Sequence, residues 1–180
     1  MKKSLKSGVI WITGLSGAGK TTFATALCKH LKLKYQNVIL IDGDVFRGII
    51  DDFGYERESR IKSAIQYNAL IAFLEKNDLI IIAATISTFN EIYHLNRQNF
   101  RNYFEIYIHC DLQALIERDK NGLYSGALNG KIPNVVGVDI PYEEPTRAHF
   151  VLENSTLDCL EEKTTLLCCK VDNFLNNLKN

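Results

Sequence analysis

The segment that most constrains this chain is Gly14-Leu15-Ser16-Gly17-Ala18-Gly19-Lys20-Thr21. It fits the pattern G-x-x-x-x-G-K-S/T. An apolar, partly β-branched run from Gly8 to Thr13 precedes it, and a helical pattern from Lys20 to Leu33 follows. That order of strand, glycine turn and helix gives the pattern its physical meaning. Glycines let backbone N–H groups turn inward around an anion. The helix N-terminus adds unpaired donors and the positive end of its dipole. Gly14, Leu15, Ser16, Gly17, Ala18, Gly19, Lys20, Thr21 and Thr22 are thus expected to cradle the phosphates of ATP. Lys20 would reach the β- and γ-phosphates, and Thr21 would hold Mg²⁺. The bland alternative, a plain glycine turn, does not account for this context.

The rest of the chain repeats the alternation. Strands are expected at Asn37 to Ile41, Leu79 to Ala84, Phe104 to Cys110 and Phe150 to Leu152. Helices are expected at Glu56 to Lys76, Glu91 to Asn102, Leu112 to Arg118 and Leu157 to Leu178. Such a sequence predicts the α/β class, specifically a P-loop NTPase fold, with a parallel sheet covered by helices on both faces. Ligands in these sheets sit at the carboxyl ends of the strands. Polar residues gather there, at 14–21, 42–47 and 87–90. The stretch from Asp119 to Pro145 is rich in Gly, Asn, Lys and Pro and predicts a long loop acting as a lid. The 180 residues suit one domain.

Composition limits the partners. Formal net charge is zero, so no global field attracts nucleic acid. No segment is long and apolar enough for a bilayer, and the opening residues do not form a secretory signal. The five cysteines include no Cys-x-x-Cys pair, which argues for small buried residues in a reducing cytoplasm. His30, His94, His109 and His149 do not pair at metal-ligand spacing. The last helix, with Leu166, Leu167, Val171, Phe174 and Leu178, suits docking on the core and leaves a homodimer contact open.

Asp42-Gly43-Asp44-Val45-Phe46-Arg47 follows the second strand. Two carboxylates and a guanidinium at one strand end suit catalysis: Asp44 as acceptor of a hydroxyl proton, Arg47 as a phosphate clamp. A turn with an ordinary ion pair is the competing explanation. A guanine-reading Asn-Lys-x-Asp is lacking, which sets a GTPase switch aside. Lys20, Thr21, Asp44 and Arg47 occur together, which argues for turnover over regulatory ATP binding.

From end to end the chain resembles the adenylylsulfate (APS) kinase family. Gly14 to Thr22 reads GLSGAGKTT, and Asp42 to Arg47 reads DGDVFR. Phe53-Gly54-Tyr55 with Arg60 is similar to an LGF…R segment, and Ile86 to Asn90 takes the place of ISPYR. Arg118, Asp119, Gly122-Leu123-Tyr124 and Ala127 resemble RDxKGLYxxA. Gly137, Asp139, Pro141-Tyr142-Glu143 and Pro145 resemble GIDDPYEAP. The resemblance implies transfer of the γ-phosphoryl of ATP to the 3′-hydroxyl of a nucleotide carrying a 5′ anhydride. It also implies roles: Asp44 and Lys20 catalytic, Arg47 and Arg60 on the acceptor's phosphate, Tyr55 stacked on its base, and Arg118 near ATP. Asp42, Ser63, Ile86, Ser87, Phe89 and Val135 fall at the remaining acceptor positions.

Departures from the family cluster on that acceptor side. An Asn becomes Ser63, an Arg becomes Ile65, and a second Arg is lost at Asn90. The Lys before Gly-Leu-Tyr becomes Asn121, with Lys120 adjacent, and a lid Phe becomes Val135. Losing one aromatic face of a base sandwich removes roughly 1–3 kcal/mol. A smaller base and a less charged 5′ tail fit these changes. The branch of the family acting on cytidine diphosphoramidate, in capsule modification, has such an acceptor. Compensation by Lys62, Lys120 or Lys131 would instead restore APS as the substrate.

Overall fold

The protein, described here from a computed structural model, is built around one five-stranded parallel sheet. The structure describes residues 6–49 and 54–178. Phe53 of the family-like segment lies outside them. The strands are β1 (Gly8–Thr13), β2 (Val38–Asp42), β3 (Ile80–Thr85), β4 (Tyr103–His109) and β5 (Phe150–Glu153). Their spatial order is β2-β3-β1-β4-β5, and every pairing is parallel. All six residues of β1 and of β3 are buried, as strands covered on both faces must be. Chain order and spatial order part company around β1, and the polar loops collect at its carboxyl end.

Helix α1 (Lys20–Lys32) buries Phe23, Ala24, Leu27, Cys28 and Leu31, a three-to-four spacing that faces the sheet. Helix α3 (Arg57–Lys76) buries Ser63, Ala64, Tyr67, Asn68, Ile71 and Glu75 on one stripe. Helix α4 (Asn90–Asn99) stops three residues earlier than the pattern predicts. Helix α5 (Leu112–Arg118) falls as expected. The closing helix α7 (Leu160–Asn177) docks through Leu167, Cys168, Val171 and Leu175, whereas Leu166 faces solvent. His30 of α1 and Lys34 just beyond its end both bond Asp172 Oδ2, at 2.8 and 2.6 Å, and so tie that end of α1 to α7. Cys159 and Cys169 are exposed, so burial accounts for only Cys28, Cys110 and Cys168.

Three short elements were not expected. Helix α2 (Gly43–Arg47) is a single turn started by Asp42, whose Oδ1 accepts the Asp44 N–H at 3.0 Å. Close packing fixes its first residue: a Cβ on Gly43 would stand 3.1 Å from Ala84 O. The predicted lid loop is partly folded. A 3-10 turn at Lys120–Gly122 leads into α6 (Leu123–Leu128). The Asp119 carboxylate caps it by accepting from the Tyr124 and Ser125 amides, each at 2.9 Å. Farther on, Asp139 accepts from the Asn134 and Val135 amides and closes a tight turn.

Candidate active site

The glycine loop joins β1 to α1 and bends through three positive-φ glycines, Gly14, Gly17 and Gly19. At Gly14, with φ 150°, a Cβ would come within 2.5 Å of Ile108 O, so nothing larger fits. Gly19 precedes α1 in a left-handed conformation with no side-chain cap, which leaves the first helical N–H groups for a ligand. Leu15 and Ala18 turn their side chains into the core and serve the loop through their backbones. Three side chains brace it, two from outside and one from within. Tyr124 OH donates to Ser16 O at 2.9 Å, Asn154 Nδ2 donates to Ala18 O at 2.8 Å, and Lys20 Nζ donates to Leu15 O at 2.8 Å.

Lys20 is buried. Burial pushes its pKa down to about 8; Asp44 and Asp42 oppose that shift, and Lys120 adds to it. Among the described residues the ammonium, with Asp44 and Asp42 near it, makes a single hydrogen bond, to Leu15 O. An entering polyphosphate would complete its shell.

Thr21 Oγ1 donates to Asp42 Oδ2 at 2.7 Å. Asp42 thus engages both its neighbours, Thr21 through one oxygen and the Asp44 amide through the other. Its place is beside the loop and its hydroxyl. One hydroxyl, a supporting carboxylate and room for phosphate oxygens form a donor set that suits Mg²⁺, which takes few protein ligands when it travels with a nucleotide. Thr21 would hold the ion, with Asp42 orienting the hydroxyl. Asp44 is exposed on the cavity wall.

From the loop a cavity of about 570 Å³ runs beneath residues 132–136 of the lid. Ser16, Gly17, Gly19, Lys20, Thr21 and Thr22 line one end; Arg47, Tyr55, Arg60, Ser63, Ile86 and Ser87 line the other. Asp42 and Asp44 stand among them, and Val135 closes the wall at 4% exposure. The Tyr55 ring carries two guanidinium groups, Arg47 at 4.9 Å and Arg60 at 5.5 Å from its centroid. Arg47 Nη1 donates to Gly54 O at 2.9 Å. Arg60 is more committed: Nε donates to Tyr55 O at 2.7 Å and Nη2 to Asn134 O at 2.9 Å, linking α3 to the lid. Burial, then the neighbouring Arg47, lowers the Arg60 pKa. Two like charges held together in this way make a site for an anion.

Some expected residues lie elsewhere. Phe89 is turned into the core at 1% exposure beneath Arg57 and does not line the cavity. Its position just before α4 makes it an anchor for that helix, with its carbonyl accepting from Ile92 and Tyr93. Arg118 does not line the cavity either. Its guanidinium donates to Asn154 O at 2.6 Å and meets Cys110 Sγ at 3.2 Å, so it steadies the residue that braces the loop. Ile65 is half exposed and lies off the cavity wall. Of the three compensating lysines, Lys120 lines the cavity and Lys62 and Lys131 do not.

Residues that the sequence did not single out complete the wall. Tyr67 donates to Gly43 O at 2.6 Å and packs on Phe46 at 4.4 Å between ring centroids. Ile132 and Val136 also line the cavity, as does Asn121, already marked in the sequence as a departure from the family pattern. The buried stripe of α3 carried the one available signal for Tyr67.

The profile of the adenylylsulphate kinase family matches residues 6–153. A cytidine diphosphoramidate kinase of Campylobacter jejuni subsp. jejuni serotype O:2 is 48% identical over 163 residues, covering 91% of this chain and 95% of that one. An adenylyl-sulfate kinase of Bacillus pumilus is 37% identical over 169 residues, covering 92% and 86%. The Mycobacterium tuberculosis APS kinase, solved with AMPPNP and APS, superposes with a TM-score of 0.83 at 25% identity, covering 96% of this chain and 99% of that one. On the shared fold, the loop and the length of the match, this chain belongs to the adenylylsulfate kinase family of nucleotide kinases.

Proposed function

We propose that this kinase moves the γ-phosphoryl group of ATP onto the 3′-hydroxyl of cytidine diphosphoramidate. The observation that carries the acceptor is the wall at Val135. The lid there offers a small aliphatic side chain, buried to 4% exposure, where the family carries an aromatic ring. A purine loses one stacking face, worth roughly 1–3 kcal/mol, while a smaller pyrimidine loses less contact area. The 48% identity to a cytidine diphosphoramidate kinase supports the same choice.

In the mechanism the loop amides and Lys20 take up charge on the phosphates. Thr21, oriented by Asp42, would hold Mg²⁺, which would supply positive charge against the phosphates. Asp44 accepts the proton of the 3′-hydroxyl. The new O–P bond forms as the bond from Pγ to the β-phosphate oxygen breaks, and ADP leaves with that electron pair. Arg47 and Arg60 face the acceptor's 5′ tail, and Tyr55 holds their spacing. The lid, about 119–145, excludes water and so limits ATP hydrolysis. One domain carries all of this, and ATP supply places the work in the cytoplasm.

A second acceptor has a specific observation in its favour. Lys120 adds a cation to a cavity that already holds two arginines, which suits the more charged tail of APS. Steady-state rates with both acceptors decide: kcat/KM higher for cytidine diphosphoramidate supports the proposal, and kcat/KM higher for APS overturns it. ATP binding with no ADP release in the presence of either acceptor would point to a regulatory role instead.

A further inference from the structure

Ser63 and Tyr67 stand four residues apart on the buried stripe of α3, and both line the cavity. Each hydroxyl has one proton, and each commits it to a backbone carbonyl. Ser63 Oγ donates to Ser59 O at 3.0 Å, and Tyr67 OH donates to Gly43 O at 2.6 Å. Burial raises the Tyr67 pKa well above its ordinary value, so that proton stays in place. A hydroxyl whose proton is committed offers only lone pairs to its other side. Ala64, Val135 and Val136, which line the same cavity, bring no polar side-chain atom. Ser63 and Tyr67 therefore present acceptors to a cavity that these apolar side chains also line, and setting a second acceptor against a buried one is costly.

We infer that Ser63, supported by Tyr67, reads the exocyclic amino group of the acceptor's base. An amino base, cytosine or adenine, supplies the N–H that the Ser63 oxygen lacks. A keto counterpart, uracil or hypoxanthine, sets oxygen against oxygen unless Ser63 gives up its bond to Ser59 O. The inference deepens the proposed function and rests on its placement of the acceptor in this cavity. It makes Ser63 a specificity-determining residue, with a role in choosing between bases of equal size.

The test measures kcat/KM for cytidine and uridine 5′-diphosphoramidates with the wild-type kinase and with Ser63→Ala. Wild type is expected to favour the cytidine form by about tenfold or more. In Ser63→Ala the cytidine rate falls about tenfold and the uridine rate does not, so the preference closes. A merely structural Ser63 would lower both rates alike, and an unchanged preference overturns the inference. The same comparison with adenosine and inosine 5′-phosphosulfates separates two kinds of failure. If APS proves the better acceptor, the cytidine proposal falls, and adenosine against inosine then judges Ser63. Calorimetry of CDP and UDP binding to the ADP-loaded kinase reads the preference without turnover; equal affinities there also overturn it.

Discussion

Burial pushes Lys20 down to about 8 even though Asp44 and Asp42 pull the other way. Between about pH 8 and 10.5 the unfolded chain binds the proton that the folded chain has released, so stability rises with pH through that window. Below it, the buried charge costs the fold about 3–4 kcal/mol. Lys20→Met should therefore raise the thermal midpoint of the nucleotide-free protein while cutting turnover about 100-fold or more. A midpoint that falls together with activity would contradict this account. The kcat/KM for ATP should decline above about pH 8, where free enzyme loses the ammonium, and kcat should hold to higher pH because bound phosphate keeps the proton. Asp44→Asn should lower kcat about 10²–10⁴-fold while ATP affinity, measured by calorimetry, stays near wild type. At this scale the loop from Gly14 to Thr22 was legible because its chemistry is local in sequence. Tyr67 and the true position of Phe89 were not, because a cavity wall depends on which face of a helix meets a distant lid.

The paired elements α4 and β4 carry a second buried charge. Glu105, in the middle of β4, has no exposed surface and meets Arg97 from α4 and the Tyr103 hydroxyl at 2.8 Å. Burial raises the Glu105 pKa, and Tyr103 and Arg97 pull it back. Removing one partner strands the other: Arg97→Met should destabilise the fold by about 3–5 kcal/mol in urea denaturation. Adding Glu105→Gln should recover much of that loss, and strict additivity would show that the two do not interact. In the lid, Asp139 holds the Asn134 and Val135 amides, so Asp139→Ala should raise KM for the acceptor several-fold with KM for ATP little changed. Central strands β1 and β3 were plain in the sequence because continuous burial leaves continuous apolar runs. Helix α2 was not, since five residues with no buried position show no periodicity. The folded part of the lid was hidden in the same way: α6 depends on the Asp119 cap and on Tyr124 reaching Ser16, a contact 108 residues away.

The whole molecule divides its labour about the carboxyl ends of the strands. One side holds the phosphate loop, braced by Tyr124, Asn154 and, behind that, Arg118. The other holds a cavity whose arginines are tied to backbone carbonyls and whose lining includes the Ser63 and Tyr67 hydroxyls and several apolar side chains. Among the described residues no helix is long and apolar enough to cross a membrane. The central claim is directional transfer from ATP to a 3′-hydroxyl, and phosphorus NMR of the reaction mixture tests it most directly. With ATP, Mg²⁺ and cytidine diphosphoramidate, the account predicts one new phosphomonoester, coupled to the ribose 3′ proton and formed one for one with ADP. ADP without a new monoester, or a monoester coupled to the 2′ proton, would contradict it.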